Sequence, residues 1–305
     1  MKPSTLHAAL LAPAVLLAQA PEPTLTQRLR SERPEIERLI RELQARDALK
    51  RAEALLPAAK PSFDNSNIQT QVGSFSKFGE LAQAHYLAFK AADAAGYWEK
   101  ALDYIKQAKS LAVENYAAVK DPFTKASEAY LHLAQKTRAS AQHTREMLKE
   151  NELYIMTLRE KKEKDESDKQ QLDLVAKEEK NLPETDKKAE EAEKWAKQFQ
   201  AFLDSAKQDA ERYEPFVAAE EKRIKDQEAQ IEEYKFGRGD KRKWVEAIAA
   251  NPSTYAALTE KQDQIAFFYR LNVLDPDNKK VNHHIEVLLG KAAPEKKAVK
   301  PKKRR

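Results

Sequence analysis

The 305-residue chain contains no cysteine and only six glycines. Without cysteine there are no disulfides, thiolate metal sites or cysteine nucleophiles. About two glycines per hundred residues, against a usual ~7%, are too few for the tight turns of a sheet protein this long. An all-β fold is excluded. The chain also lacks a glycine-rich phosphate loop, a nucleophile elbow and a metalloprotease helix. Its carboxylates alternate with lysine, and nothing indicates a pocket that would give two acids unequal environments. An enzyme is not expected, and the sequence assigns no catalytic residue, cofactor or metal.

What the chain has in quantity is alanine and charge. It holds 48 alanines within a 41% hydrophobic fraction, and 34% of its residues are charged. Alanine is the best helix former and the smallest apolar side chain that can line a helix interface. The composition therefore predicts an all-α protein with thin helix contacts. The formal charge of +5 is unevenly placed, because residues 291–305 carry eight basic side chains against Glu295 alone. The remainder of the exported chain is slightly acidic.

Residues 1–20 read as a signal peptide: Lys2 is followed by an apolar stretch from Leu6 to Leu17, and Ala18 and Ala20 form an A-x-A cleavage pattern. The stretch is too short to span a bilayer, which takes about 20 apolar residues. The expected location is the periplasm or the exterior. The tail after Gly290 has little to bury and is expected to be disordered. Its residues Lys296, Lys297, Lys300, Lys302, Lys303, Arg304 and Arg305 either attract an anionic envelope surface or serve only solubility. Nucleic acid is not an expected partner for an exported chain.

Apolar residues recurring three and four apart from Ser31 to Leu56 predict one amphipathic helix, with Ser31 as N-cap and Pro34 in its first turn. A loop over 61–74 and helices over 75–95 and 97–120, parted by Gly96, complete an N-terminal region of residues 21–121. Asp121-Pro122 reads as the cap and first turn of the next helix. That helix runs to Lys180, with Ala134, Ala141, Leu148 and Ile155 at heptad spacing. The stretch between Glu160 and Gln171 has no apolar residue and reads as a solvated helix or a frayed tip.

Asn181-Leu182-Pro183 predicts the turn. The returning seam takes Ala192, Trp195, Phe199, Phe202 and Ala206, then, after a shift of one residue, Ala210, Tyr213, Val217, Ile224, Ile231 and Tyr234, with a kink at Pro215. Residues 122–236 thus predict a long antiparallel coiled-coil hairpin with arms of roughly 75 to 85 Å. A shorter bundle in which the polar stretch is loop is the alternative. Residues 237–290 read as short helices over 241–250, 253–260, 262–274 and 279–289.

Gly96, Trp98, Ala101, Ile105 and Ala108 fall at the intervals of the second helix of a tetratricopeptide repeat, and the segment resembles that family. The two alanines allow a paired helix to approach while Trp98 and Ile105 fill the groove beside them. Phe268, Leu271, Leu274 and Pro276 lie in a segment that looks like the close of such a repeat. The resemblance implies a tetratricopeptide-like helical-repeat base that binds proteins or peptides on a concave surface. Phe267, Phe268, Tyr269, Leu271 and Leu274 are expected to hold its C-terminal part.

Other motifs are weaker. His283 and Glu286 share a helix face but lack a third metal ligand, so His283 and His284 read as a solvated pair. Asp275, Asp277 and Glu286 match an EF-hand loop in which Lys279 and Lys280 oppose a cation. Arg238-Gly239-Asp240 is similar to integrin-binding loops, at the level of a three-letter match. The expected function is an exported, non-enzymatic scaffold for protein-protein interaction in the cell envelope, with a hairpin able to pair with a second copy. The alternative is a periplasmic holdase-type chaperone that clasps clients with its arms.

Overall fold

The computed structural model describes residues 24–234, 239–251, 255 and 257–293, and every regular element among them is an α-helix. The leader over 1–20, Arg238 and the basic residues from Lys296 to Arg305 lie outside the described residues.

Two helices stand where one is predicted. Helix α1 (Leu25–Arg41) begins at Thr24, whose hydroxyl accepts from the Gln27 amide while the Gln27 side chain accepts from the Thr24 amide. This capping box starts the helix well before Ser31. Ser31 instead lies inside α1, donating its hydroxyl to the carbonyls of Gln27 and Arg28, and Pro34 is a mid-helix residue. The helix closes at Leu43, which has φ 65°, and the Gln44 amide donates to the Leu39 carbonyl at 2.8 Å. That left-handed helix end normally takes glycine. With leucine there, the apolar spacing reads straight through the corner into α2 (Ala45–Leu55).

Helix α3 (Ile68–Ala94) starts within the predicted loop, at a capping box between Asn67 and Thr70. Helix α4 (Trp98–Glu150) runs unbroken through Asp121 and Pro122, where a new helix is predicted. An interior proline costs about 3 kcal/mol. Val119 and Phe123 on either side are fully buried in a cluster with Phe199 and Leu203 of the returning arm, which offsets that cost.

The chain bends at Asn151 into α5 (Glu152–Glu160), turns over residues 161–165, and returns as α6 (Glu166–Arg212). The turn lies in the polar stretch and not at Asn181-Leu182-Pro183. Asp165 caps α6 reciprocally with Asp168, and Lys161 donates to Asp168 at 2.5 Å, so local polar chemistry closes the hairpin there. Pro183 lies inside α6. The predicted kink at Pro215 appears as a break at Tyr213, after which α7 (Glu214–Glu233) continues with Pro215 in its first turn.

The arms hold one antiparallel register. Ion pairs Arg138–Glu193 and Arg145–Asp186 are one heptad apart on both arms. The returning arm buries Ala189, Ala192, Ala196, Phe199, Leu203 and Ala206, then Tyr213, Val217, Glu220, Gln227 and Ile231. This stripe keeps its heptad spacing across the break, without the predicted shift. Trp195 is off the seam, 46% exposed, with its ring beside Tyr130 and Phe199.

Three short helices end the described chain: α8 (Lys241–Ala250), α9 (Lys261–Leu274) and α10 (Lys279–Leu288). The helix predicted over 253–260 is absent at its described residues, which form turns and irregular chain. One apolar core joins α1, α2, α3, the first part of α4, α7 and these three helices. No described helix is long and apolar enough to cross a membrane.

Because Pro183 interrupts the hydrogen-bond ladder of α6 on a largely exposed stretch, Pro183→Ala is expected to stabilise the chain by about 1 to 3 kcal/mol. Chemical denaturation followed by circular dichroism checks this; a loss of stability would contradict the placement of Pro183 inside a helix.

Candidate functional site

The two segments marked out by their spacing, residues 96–108 and 268–276, lie far apart in sequence and meet in space. Gly96 adopts φ +79°, and a Cβ there would stand 2.6 Å from the Tyr269 carbonyl carbon and 2.7 Å from the Arg270 Cα. The corner between α3 and α4 therefore rests directly on the backbone of α9. Ala101, Ile105 and Ala108 are wholly buried, as are Phe268 and Leu271, while Leu274 is half-buried and Pro276 exposed.

Arg270, only 3% exposed, ties three elements at this junction. Its guanidinium donates to both carboxylate oxygens of Glu99 at 2.8 and 2.6 Å, to the Gln227 side chain at 2.8 and 2.6 Å, and to the Gly96 carbonyl at 3.2 Å. Trp98 packs against two cations, with Arg270 at 4.5 Å and Arg223 at 4.1 Å from its ring centre. Arg223 in turn pairs with Asp93 and Glu220. Such cation-aromatic contacts gain strength as water is excluded.

The neighbouring Tyr269 links α9 to the corner between α1 and α2. Its hydroxyl donates to the carbonyl of Leu43 at 3.2 Å, the residue with the left-handed backbone, and Arg46 lies 4.7 Å from its ring centre.

Beside the junction opens a cleft of about 480 Å³. One wall is α7, presenting Lys222, Asp226 and Gln230; the other is Trp244, Ile248, Phe267 and Leu271, with Trp98, Arg223 and Arg270 between them. A polar wall facing an apolar one suits an amphipathic peptide segment. A second cavity of about 360 Å³ lies between the end of α2, α3 and α4, where the Nδ1 of His85 is buried without a partner and burial pushes the imidazole pKa down.

The histidines at the C-terminus are not a solvated pair. His284 stacks on Phe268, ring centres 4.7 Å apart, and His283 and His284 are both half-buried. No group of three or more His, Cys, Asp or Glu residues arranged for a metal occurs among the described residues. Asp275 of the EF-hand-like string accepts from the Asn278 side chain, closing the turn into α10.

Arg223, Gln227, Glu220 and Arg270 were not legible as site residues from spacing alone. The available signal was that Glu220 and Gln227, one heptad apart, interrupt an otherwise apolar seam.

Two carboxylates here titrate in opposite senses. The hydrogen bonds from Arg270 hold the Glu99 carboxyl below the usual range, so its stabilisation is present at neutral pH and is lost as pH falls through that lowered value. Burial, reinforced by Asp93, pushes Glu220 up despite Arg223, so ionising it costs stability as pH rises.

No protein-family model, curated protein or solved structure matches the chain.

Two outcomes are expected. Gly96→Ala, which forces both a left-handed alanine and a backbone clash, is expected to cost on the order of 3 kcal/mol in denaturant unfolding. Glu220→Gln is expected to raise the melting temperature at pH 7, with the gain shrinking on acidification as the wild-type carboxyl takes up its own proton. A variant less stable at pH 7 would assign Glu220 a net favourable charge.

Proposed function

We propose that the protein is an exported, non-enzymatic helical scaffold whose tetratricopeptide-like base holds a segment of a partner protein, while the hairpin extends from that base. The observation that carries this reading is the cleft at the junction of the two repeat-like segments, with α7 as its polar wall and Trp244, Ile248 and Phe267 on its apolar wall. A bound amphipathic helix or extended peptide would bury apolar side chains on the second wall and pair its polar groups with Lys222, Asp226 and Gln230. The reading of the leader supports export to the periplasm or beyond, and the reading of the basic tail adds an anionic envelope surface as a second contact.

A holdase-type chaperone is the second reading. It is favoured by the apolar side chains exposed on α5 at the far end of the arms.

Lys222 and Gln230 are exposed, so charge reversal at the cleft leaves the core intact. A photo-crosslinker at Phe267 is expected to capture a discrete envelope protein, and Lys222→Glu with Gln230→Glu to weaken that capture at least about tenfold. Capture unchanged by both substitutions would remove the cleft as the binding site. In a light-scattering assay, the scaffold reading predicts no suppression of client aggregation at stoichiometric amounts; strong suppression lost on Leu153→Glu would favour the holdase.

A further inference from the structure

The far end of the hairpin is built differently from its root. Near the base the seam is sealed by aromatic rings, but between Ala141 and Ile155 on the outgoing arm no side chain is buried, and Leu148, Leu172, Val175 and Leu182 are only half-covered. An open groove of about 380 Å³ results, lined by Met147, Leu148, Tyr154, Leu158, Leu174 and Val175. Helix α5 (Glu-Leu-Tyr-Ile-Met-Thr-Leu-Arg-Glu) carries apolar side chains on two opposite faces, between the polar Glu152, Thr157, Arg159 and Glu160. Ile155 and Leu158 face the other arm and are buried, whereas Leu153 and Met156, three residues apart, project from the opposite face. Apolar side chains exposed together on the outer face of a helix whose inner face is already buried form a surface suited to a partner.

We propose that the cover is a second copy of this chain, with two hairpin tips packing about a two-fold axis so that Leu153 and Met156 of each enter the groove of the other. Three observations select this occupant. The tip carries both the groove and the side chains free to fill it, which is the self-complementarity that a two-fold interface requires.

The exposed area is sufficient. Met147, Leu153, Tyr154, Met156 and Leu174 are between 49 and 82% exposed. They leave on the order of 600 Å² uncovered per tip, so pairing buries about 1,200 Å², the lower end of a stable interface.

Charge points the same way. Residues 143–178 hold eight basic and ten acidic side chains, a mixed and nearly neutral surface that does not oppose self-association and offers an anionic bilayer no net attraction.

The test uses the full mature chain in analytical ultracentrifugation from about 1 to 100 µM. The expected result is a reversible monomer-dimer equilibrium whose dissociation constant rises at least about tenfold in Leu153→Glu and in Leu174→Glu. Both side chains are largely exposed, so the helical circular dichroism signal should be retained. Because the chain has no native cysteine, a mixture of Leu153→Cys and Leu174→Cys chains should form an oxidative cross-link between the two positions faster than either variant does with itself. A monomer across the whole range, open-ended oligomers, dimers indifferent to both Glu substitutions, or a monomer that instead cosediments with phosphatidylglycerol vesicles through Leu153 would each overturn the proposal.

Discussion

The guanidinium of Arg270 is the interaction on which the base depends. A buried cation is tolerated only when paired and hydrogen-bonded, and Arg270 meets that demand by drawing partners from two distant stretches: the Gly96 carbonyl, the Trp98 ring and Glu99 on one, and Gln227 on the other. Satisfying it fixes where α9 sits, how α4 begins and how the returning arm approaches. Tyr269 then anchors the corner between α1 and α2 through the Leu43 carbonyl. Two adjacent residues thus gather helices from both ends of the sequence around α9.

The hairpin follows from that arrangement. The α3–α4 corner is pinned at Gly96 and α7 is pinned at Gln227 and at Arg223, so the two arms leave the base at fixed positions and in fixed register. Ring contacts among Phe75, Phe123, Phe199 and Phe202 seal the root of the arms. Beyond Tyr130 and Trp195 the middle of the seam thins to alanine and cross-arm ion pairs, which specify register more than they stabilise, before Ile155 and Leu158 bury again at the tip. Chain geometry therefore places the least covered apolar surface furthest from the core.

Much of this was legible in the sequence, and the misses have common physical causes. The all-α class, the seam alanines Ala134, Ala141, Ala192 and Ala206, the break near Pro215 and the short helices over 241–250 and 279–288 follow from composition and periodicity. Prolines misled where tertiary contacts override local preference: Pro122 and Pro183 look like helix starts and turns, yet both lie inside long helices. A leucine in the left-handed region hid the corner at Leu43, and the turn at 161–165 is made by Asp165, Asp168 and Lys161 without a glycine or proline. Gly96, Ala101, Ile105, Ala108, Phe268 and Leu271 are all buried, but the polar network binding the two segments together depends on long-range pairing that no local pattern encodes.

Through Tyr269 and Arg270, α9 belongs to one cooperative unit with the N-terminal helices. Native-state hydrogen exchange of the full chain, read by mass spectrometry across residues 81–92, 101–112 and 265–274, tests it most directly. All three segments are expected to exchange through one common opening with the same free energy and the same denaturant dependence. Loss of protection over 265–274 by a separate, lower-energy opening, with the other two segments still protected, would contradict it.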